Sequence, residues 1–236
     1  MRFLVTAGNT RERIDDVRDW GNIFTGNTGY RIARAIAQAG EVDLLTSNQT
    51  HLAELRAQIA TSHPIHGHPF TSHAELRSLL ASLMSKHAYD AVFMAAAVGD
   101  YRPVRVYAVA SREPTGDPGR ERWVVQDVQA GKVKSTHERI AILGEQTEKL
   151  VDLFRGAWKH RGLLVKFKLE VGLNRDELIR VAEASRKSSG ADFLVANTLD
   201  MVQGSGAGAY LLSDGGAEWI ARDELPQRML ALVARG

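Results

Sequence analysis

FLVTAGNTRERIDDVRDWGNIFTGNTGY, Phe3 to Tyr30, is the stretch on which the fold turns. Phe3-Leu4-Val5-Thr6 is apolar and too short for a helix, so it predicts a strand buried on both faces of a parallel sheet. Gly8 ends it in a turn. A charged and polar run follows, read as a long loop, and leads to Gly21, Gly26 and Gly29. From Gly29 the apolar positions Ile32, Ala33, Ala35 and Ile36 fall on one helical face. The order is therefore strand, polar loop, glycine-rich turn, helix. In open α/β sheets, ligands lie outside the carboxyl ends of the strands, where a helix N-terminus offers N–H groups to phosphate.

Outward from this stretch, strands alternate with helices. Gly29–Ala39 reads as the first helix, Val42–Thr46 as a strand with Ser47-Asn48 as its exit loop, and Leu52–Ala60 as a short helix. Thr61–Phe70 holds His63, His66 and His68. Their spacing matches no zinc pattern, and the segment reads as a loop. Ser72 and Glu75 form a capping box ahead of Leu76, Leu79, Leu80 and Leu83. Tyr89–Val98, YDAVFMAAAV, reads as a central strand whose small end, Ala95-Ala96-Ala97, lets backbone approach a ligand. Residues 104–130 alternate around the turn-rich tip Pro114–Gly119 and predict a projecting β-hairpin arm. A helix from Thr147, a strand Leu163–Phe167, a helix from Asn174 or Arg175 and a strand Phe193–Ala196 follow. Met201–Ala209 is glycine-rich and reads as a mobile loop. Tyr210–Leu212 and Glu218–Ile220 form a hairpin, and Asp223 is expected to cap the last helix. The sum is one α/β domain over residues 1–236, a doubly wound, mostly parallel Rossmann-like sheet with an arm.

The 236 residues, 44% of them hydrophobic, suffice for one sizeable core. A net charge of +2 gives no field suited to nucleic acid or a membrane surface. The absence of Cys excludes thiolate chemistry and fits a reducing cytoplasm. No apolar run approaches a membrane span, and with Met1 leading directly into the first strand no signal peptide is expected.

The motifs carry a family resemblance. TAGNTRERIDDVR resembles the TAGGTREPIDPVR signature of phosphopantothenate–cysteine ligases, the second half of the bifunctional coenzyme A flavoprotein. NIFTGNTGY falls where that family has NxSSGxxG. AAAVGDYRP resembles AAAVADYRP, GKVKS resembles the KIKK segment, KFKLE resembles FAAET or FKLET, and GADFLVAN resembles GADLIVAN. The matches keep family order from Phe3 to about Asn197.

The resemblance implies ligation of phosphopantothenate to cysteine. CTP or ATP, with Mg²⁺, first activates the carboxylate as an acyl nucleotide, and the cysteine amine then attacks. It implies a homodimer built through the arm, and no flavin, because the decarboxylase half is missing. Such chemistry needs positioned cations and N–H donors, and no enzyme nucleophile. By resemblance the catalytic set is Asn22, which holds the carboxylate and acyl nucleotide, with Arg18 and Lys132. Lys134 lies beside Lys132. Ala96, Ala97, Asp100 and Gly26 are assigned to the substrate. Gly8, Thr10, Ser47, Phe167, Arg186 and Lys187 are assigned to the nucleotide. No protein ligand to a metal is implied. Three positions depart from the pattern: Asn9 replaces its second glycine, Phe24-Thr25-Gly26 replaces SSG, and Asn27 replaces a lysine.

The rival readings are a Rossmann-like nucleotide-binding protein without ligase activity, a ligase of another substrate, and an NAD(P)-dependent reductase. The last lacks a tight G-x-G-x-x-G opening its first helix, and a Tyr-x-x-x-Lys dyad.

Overall fold

Phe3, Leu4 and Val5 are all fully buried, which requires helices on both faces of the first strand. The computed structural model describes residues 1–57, 63–202, 204 and 206–234. In chain order the elements are β1 (Arg2–Ala7), β2 (Arg11–Arg13), β3 (Asp19–Gly21), α1 (Asn27–Ile36), β4 (Glu41–Thr46), α2 (Gln49–Ala57), β5 (Ile65–Pro69) and α3 (His73–Lys86). There follow β6 (Ala91–Met94), β7 (Tyr101–Pro114), β8 (Glu121–Asp127), β9 (Ile140–Gln146), α4 (Leu150–Arg155), β10 (Leu163–Glu170), α5 (Arg175–Ser188) and β11 (Phe193–Thr198). A 3₁₀ turn (Leu199–Val202), β12 (Gly208–Ser213), β13 (Gly216–Ala221) and α6 (Leu225–Val233) complete the chain.

The main sheet has the order β13-β12-β11-β10-β6-β1-β4-β5. Six strands from β5 to β11 are parallel, and β12 and β13 add an antiparallel edge. The chain runs outward from β1 to β4 and β5, then returns to place β6 on the other side of β1. The topological switch point therefore lies between β1 and β6, where doubly wound folds bind ligands. On one face, α1 and α6 close a core with Phe3, Val5, Phe93, Val165 and Leu211. On the other, α3 and α4 cover Leu4, Val92 and Leu164, and α5 covers Leu194 and Ala196.

The expected Thr61–Phe70 loop is corrected: Ile65–Pro69 is an edge strand parallel to β4. Its pull is Asp43 on β4, whose side chain is only 2% exposed and which accepts from His68 at 2.8 Å, Tyr89 at 2.8 Å and Arg2 at 2.8 Å. The part of the expected second helix at 58–60 lies outside the described residues. The central strand stops at Met94, four residues before Val98, because Ala96 N–H turns to the Thr6 hydroxyl at 3.1 Å. Asp223 does not cap α6. It pairs with Arg31 at 3.3 Å, and the helix starts after Glu224 with Pro226 in its first turn. The long polar loop contains the two-stranded hairpin β2–β3. The arm gains a third strand, β9, and its order is β8-β7-β9, with Pro103 at an irregularity that frees it from donating.

Candidate functional site

At the switch point the chain leaving β1 and the chain leaving β6 are stitched together. Ala97 N–H donates to the Gly8 carbonyl at 2.9 Å and Thr10 N–H to the Ala97 carbonyl at 3.1 Å. The Thr10 hydroxyl accepts from Gly99 N–H at 2.8 Å. Asn22, directly after β3, donates from Nδ2 to the same Ala97 carbonyl at 3.2 Å. Its own carbonyl accepts from Asn9 Nδ2. Thr10, Glu12, Trp20, Gly21, Asn22, Gly99, Asp100 and Tyr101 enclose a cleft of about 180 Å³. Glu12 is anchored by the N–H of His73, the first residue of α3, at 2.6 Å.

A second wall is the entry to α1. Gly26 has φ 81°, and a Cβ there would lie 1.9 Å from Gly8 N. Gly8 has φ 87°, and its Cβ would meet Ser47 Oγ at 2.2 Å. Two glycines thus let the ends of β1, β4 and α1 converge. Ser47 Oγ accepts from Asn9 N–H at 2.9 Å. Asn48 Nδ2 donates to the Thr25 carbonyl at 3.0 Å, and His51 Nε2 contacts Asn27 Oδ1 at 3.0 Å. His51 stacks on Tyr30, with ring centroids 4.3 Å apart. Burial holds the His51 imidazole below its usual range, against the opposing pull of Glu54. The ring is therefore neutral at physiological pH and serves as a hydrogen-bond bridge between α1 and α2.

At the far end of the β2–β3 hairpin, Arg18 pairs with the buried carboxylate of Asp15 and donates from Nη2 to the Val133 carbonyl at 2.8 Å. Val133 is 3% exposed, while Lys132 and Lys134 on either side are exposed.

The DNA/pantothenate metabolism flavoprotein C-terminal domain family matches residues 1–113. The coenzyme A biosynthesis bifunctional protein CoaBC of Mycolicibacterium smegmatis is 32% identical over 203 residues, 84% of this chain and 42% of that protein. A crystal structure of the DNA/pantothenate metabolism flavoprotein from Streptococcus pneumoniae has a TM-score of 0.78 at 25% identity, covering 100% of this chain and 99% of that one. The chain is similar to this family over residues 1–113 and to its bifunctional relative over 84% of its length. It spans less than half the length of the bifunctional relative. A Cab2 variant solved in complex with phosphopantothenate-cysteine shares the fold, with a TM-score of 0.70 at 16% identity over 99% of this chain and 85% of that one.

Against the family pattern, two of the three departures have structural partners. Asn9 bridges Ser47 and the Asn22 carbonyl, a link that a glycine could not make. Asn27, in place of a lysine, is held by His51. Phe24 is half-buried in the loop between Asn22 and Gly26.

The structure brings Thr10, Asn22 and Asp100 to one cleft, with the Ala97 carbonyl bonded to Asn22 and Thr10, Ala96 behind it and Gly8, Gly26 and Ser47 in the adjoining wall. Phe167 is half-buried against the α1 core, beyond the point where β6 ends. Lys166, one position before it, donates to the Ser185 carbonyl at 3.3 Å, and burial lowers its ammonium pKa. Arg186 and Lys187 are not gathered with the rest. They end α5, at the amino end of β11 and so at the opposite end of the strands from the cleft. Arg186 is spent there on Glu183, Asp214 and the carbonyls of Ala191 and Asp192. Its pairing with Glu183 holds that carboxylate down at about 2. Sequence reasoning missed Glu12 and Trp20 as cleft walls. The only signal was an aromatic ring set in an otherwise polar loop. Among the described residues no group of three or more His, Cys, Asp or Glu could hold a metal ion, and no helix is long and apolar enough to cross a membrane.

Proposed function

We propose that the chain is a phosphopantothenate–cysteine ligase acting in coenzyme A biosynthesis, using CTP or ATP in the cytoplasm. The observation that carries this reading is the Asn22 carboxamide on the Ala97 carbonyl, within a polar cleft at the switch point of a sheet that matches this family. A carboxamide both donates and accepts without adding charge, which suits it to orient a carboxylate and then an acyl phosphate. The wall formed by Gly8, Gly26 and the first turn of α1 offers backbone N–H groups to phosphate oxygens. Lys132 supplies positive charge as the acyl nucleotide forms or collapses. Asp100 and the Ala96-Ala97 backbone hold the pantothenate end. Magnesium travels with the nucleotide phosphates.

The reductase reading loses support because β1 leads into a hairpin rather than a tight glycine turn onto α1. The ligase reading is tested by pyrophosphate release from phosphopantothenate, cysteine, magnesium and CTP or ATP, with the product identified by mass. A cysteine-dependent product is expected. Folded protein that yields none with either nucleotide overturns the reading.

The same reading includes a homodimer. β8 is a free edge, and its Trp123, Val124 and Val125 are 46%, 54% and 42% exposed. An apolar unpaired edge invites a partner strand.

A further inference from the structure

We infer that Asp15 is a positioning residue which, with Arg18, latches the backbone of Val133 and thereby sets the place of Lys132; the role of Lys132 itself rests on the ligase reading above. The Asp15 side chain is fully buried. A buried carboxylate is costly unless its lone pairs are filled. Here they are filled by Val17 N–H at 2.9 Å, Arg18 N–H at 2.9 Å, Val133 N–H at 3.1 Å and the Arg18 guanidinium through Nε at 3.0 Å and Nη2. The Arg18 side chain, first of these partners in strength, holds the Asp15 carboxyl far below the usual range despite burial. Asp15 is therefore ionised whenever the protein is folded near neutrality.

The second half of the latch is the same Arg18 Nη2, which donates to the Val133 carbonyl at 2.8 Å. Both polar groups of one peptide residue are thus held by a pair of opposite charges, and hydrogen bonds to charged groups are the strong ones. The flanking residues are zipped on as well. Asp16 N–H donates to the Gly131 carbonyl at 2.8 Å, and a Cβ at Gly131 would lie 2.7 Å from Asp16 Oδ2. Gln129 donates to the Ile14 carbonyl at 3.2 Å and accepts from Val106 N–H at 3.0 Å. Residues 128–139 form no helix or strand, so these contacts to the 14–18 turn are what locate Lys132.

That turn closes the β2–β3 hairpin, in which Arg11 faces Gly21 and Arg13 faces Asp19. The open end of the hairpin delivers Asn22 to the cleft. One short rigid element therefore carries the carboxamide at one end and the lysine segment at the other. Arg18 is committed to this joint, and the geometry assigns it to organisation of the segment.

The test is Asp15→Asn, isosteric and uncharged. Hydrogen exchange of the 129–134 amides and trypsin cleavage after Lys132 and Lys134, both under native conditions, should rise at least ~10-fold while exchange in β1 stays at the wild-type rate. In the ligase assay kcat should fall at least ~10-fold with nucleotide KM within ~3-fold. The double variant Asp15→Asn, Lys132→Ala should lose no more than Lys132→Ala alone, because residues acting through one another are non-additive. If Asp15→Asn does not fold, Arg18→Lys decides, since a compact ammonium cannot span Asp15 and the Val133 carbonyl as the fork does. Unchanged exchange and cleavage overturn the latch whatever the activity. Losses that multiply in the double variant overturn its action through Lys132. Raised exchange in Asp15→Asn, where the wild-type chain itself shows no ligation, keeps the latch and removes only the reaction assigned to it.

Discussion

Asn22 is exposed, yet its amide is tied to Ala97 and its carbonyl to Asn9, so a small chemical change there acts on the cleft more than on the fold. Asn22→Asp turns a donor into an acceptor that faces the Ala97 carbonyl and, in the proposed reaction, a substrate carboxylate. Ligation should fall by two to three orders of magnitude, the cost of about 3 kcal/mol seen when one positioned donor is lost. Stability should change by less than about 1 kcal/mol. Pyrophosphate release and a thermal melt check both, and wild-type turnover would leave Asn22 a turn residue. Asp43 behaves oppositely. Burial pushes its pKa up, but hydrogen bonds from His68, Tyr89 and Arg2 and the charge of Arg2 outweigh it, and the carboxyl sits at about 2. A depressed pKa adds stability above the unfolded value that is lost as pH falls through the folded one. Asp43→Asn should therefore cost about 2 kcal/mol at pH 7. The gap between variant and wild type should close as pH falls from ~4 to ~2, read from urea midpoints at each pH. A pH-independent gap would mean that packing, rather than charge, sets the effect.

Among elements, the joint of β1, β4 and α1 was readable because glycine spacing and apolar periodicity are local signals. Gly26→Ala should break it. The φ of 81° is a left-handed conformation that costs alanine about 1 kcal/mol, and the added Cβ would sit 1.9 Å from Gly8 N, so backbone must move. A drop of several degrees in Tm is expected, together with loss of the melting-point rise that the ligase reading predicts for the wild type with CTP or ATP. A variant still stabilised by nucleotide would place the phosphates elsewhere. The α3 capping box was equally legible, and Ser72 and Glu75 make both of its bonds. β2 and β3 were not, because three-residue strands of RER and DWG have no apolar alternation to mark them. Only pairing across the turn at 14–18, fixed by Asp15 and Arg18, makes them a hairpin.

At the scale of the molecule, the arm offers β8 as an open edge, and the homodimer reading predicts its use. Val124→Lys places a charge on that edge and should yield monomers by sedimentation at micromolar concentration, with the core fold intact by circular dichroism. A variant that remains dimeric would move the interface elsewhere. By itself the sequence determined the doubly wound sheet and the glycine joint, because burial on both faces, helical period and turn chemistry are properties of neighbouring residues. It also marked Asn22, Ala97 and Asp100 for one site through motifs kept in family order. Tertiary structure decided what those signals cannot carry. It drew Ile65–Pro69 into the sheet through the buried Asp43, and it added β9 beside β7. It also sent Arg186 to the amino end of the strands, where its distant partner is Asp214. Each of these outcomes depends on a partner distant in sequence, where the cost of an unpaired buried charge or open strand is met only once the chain has folded back on itself.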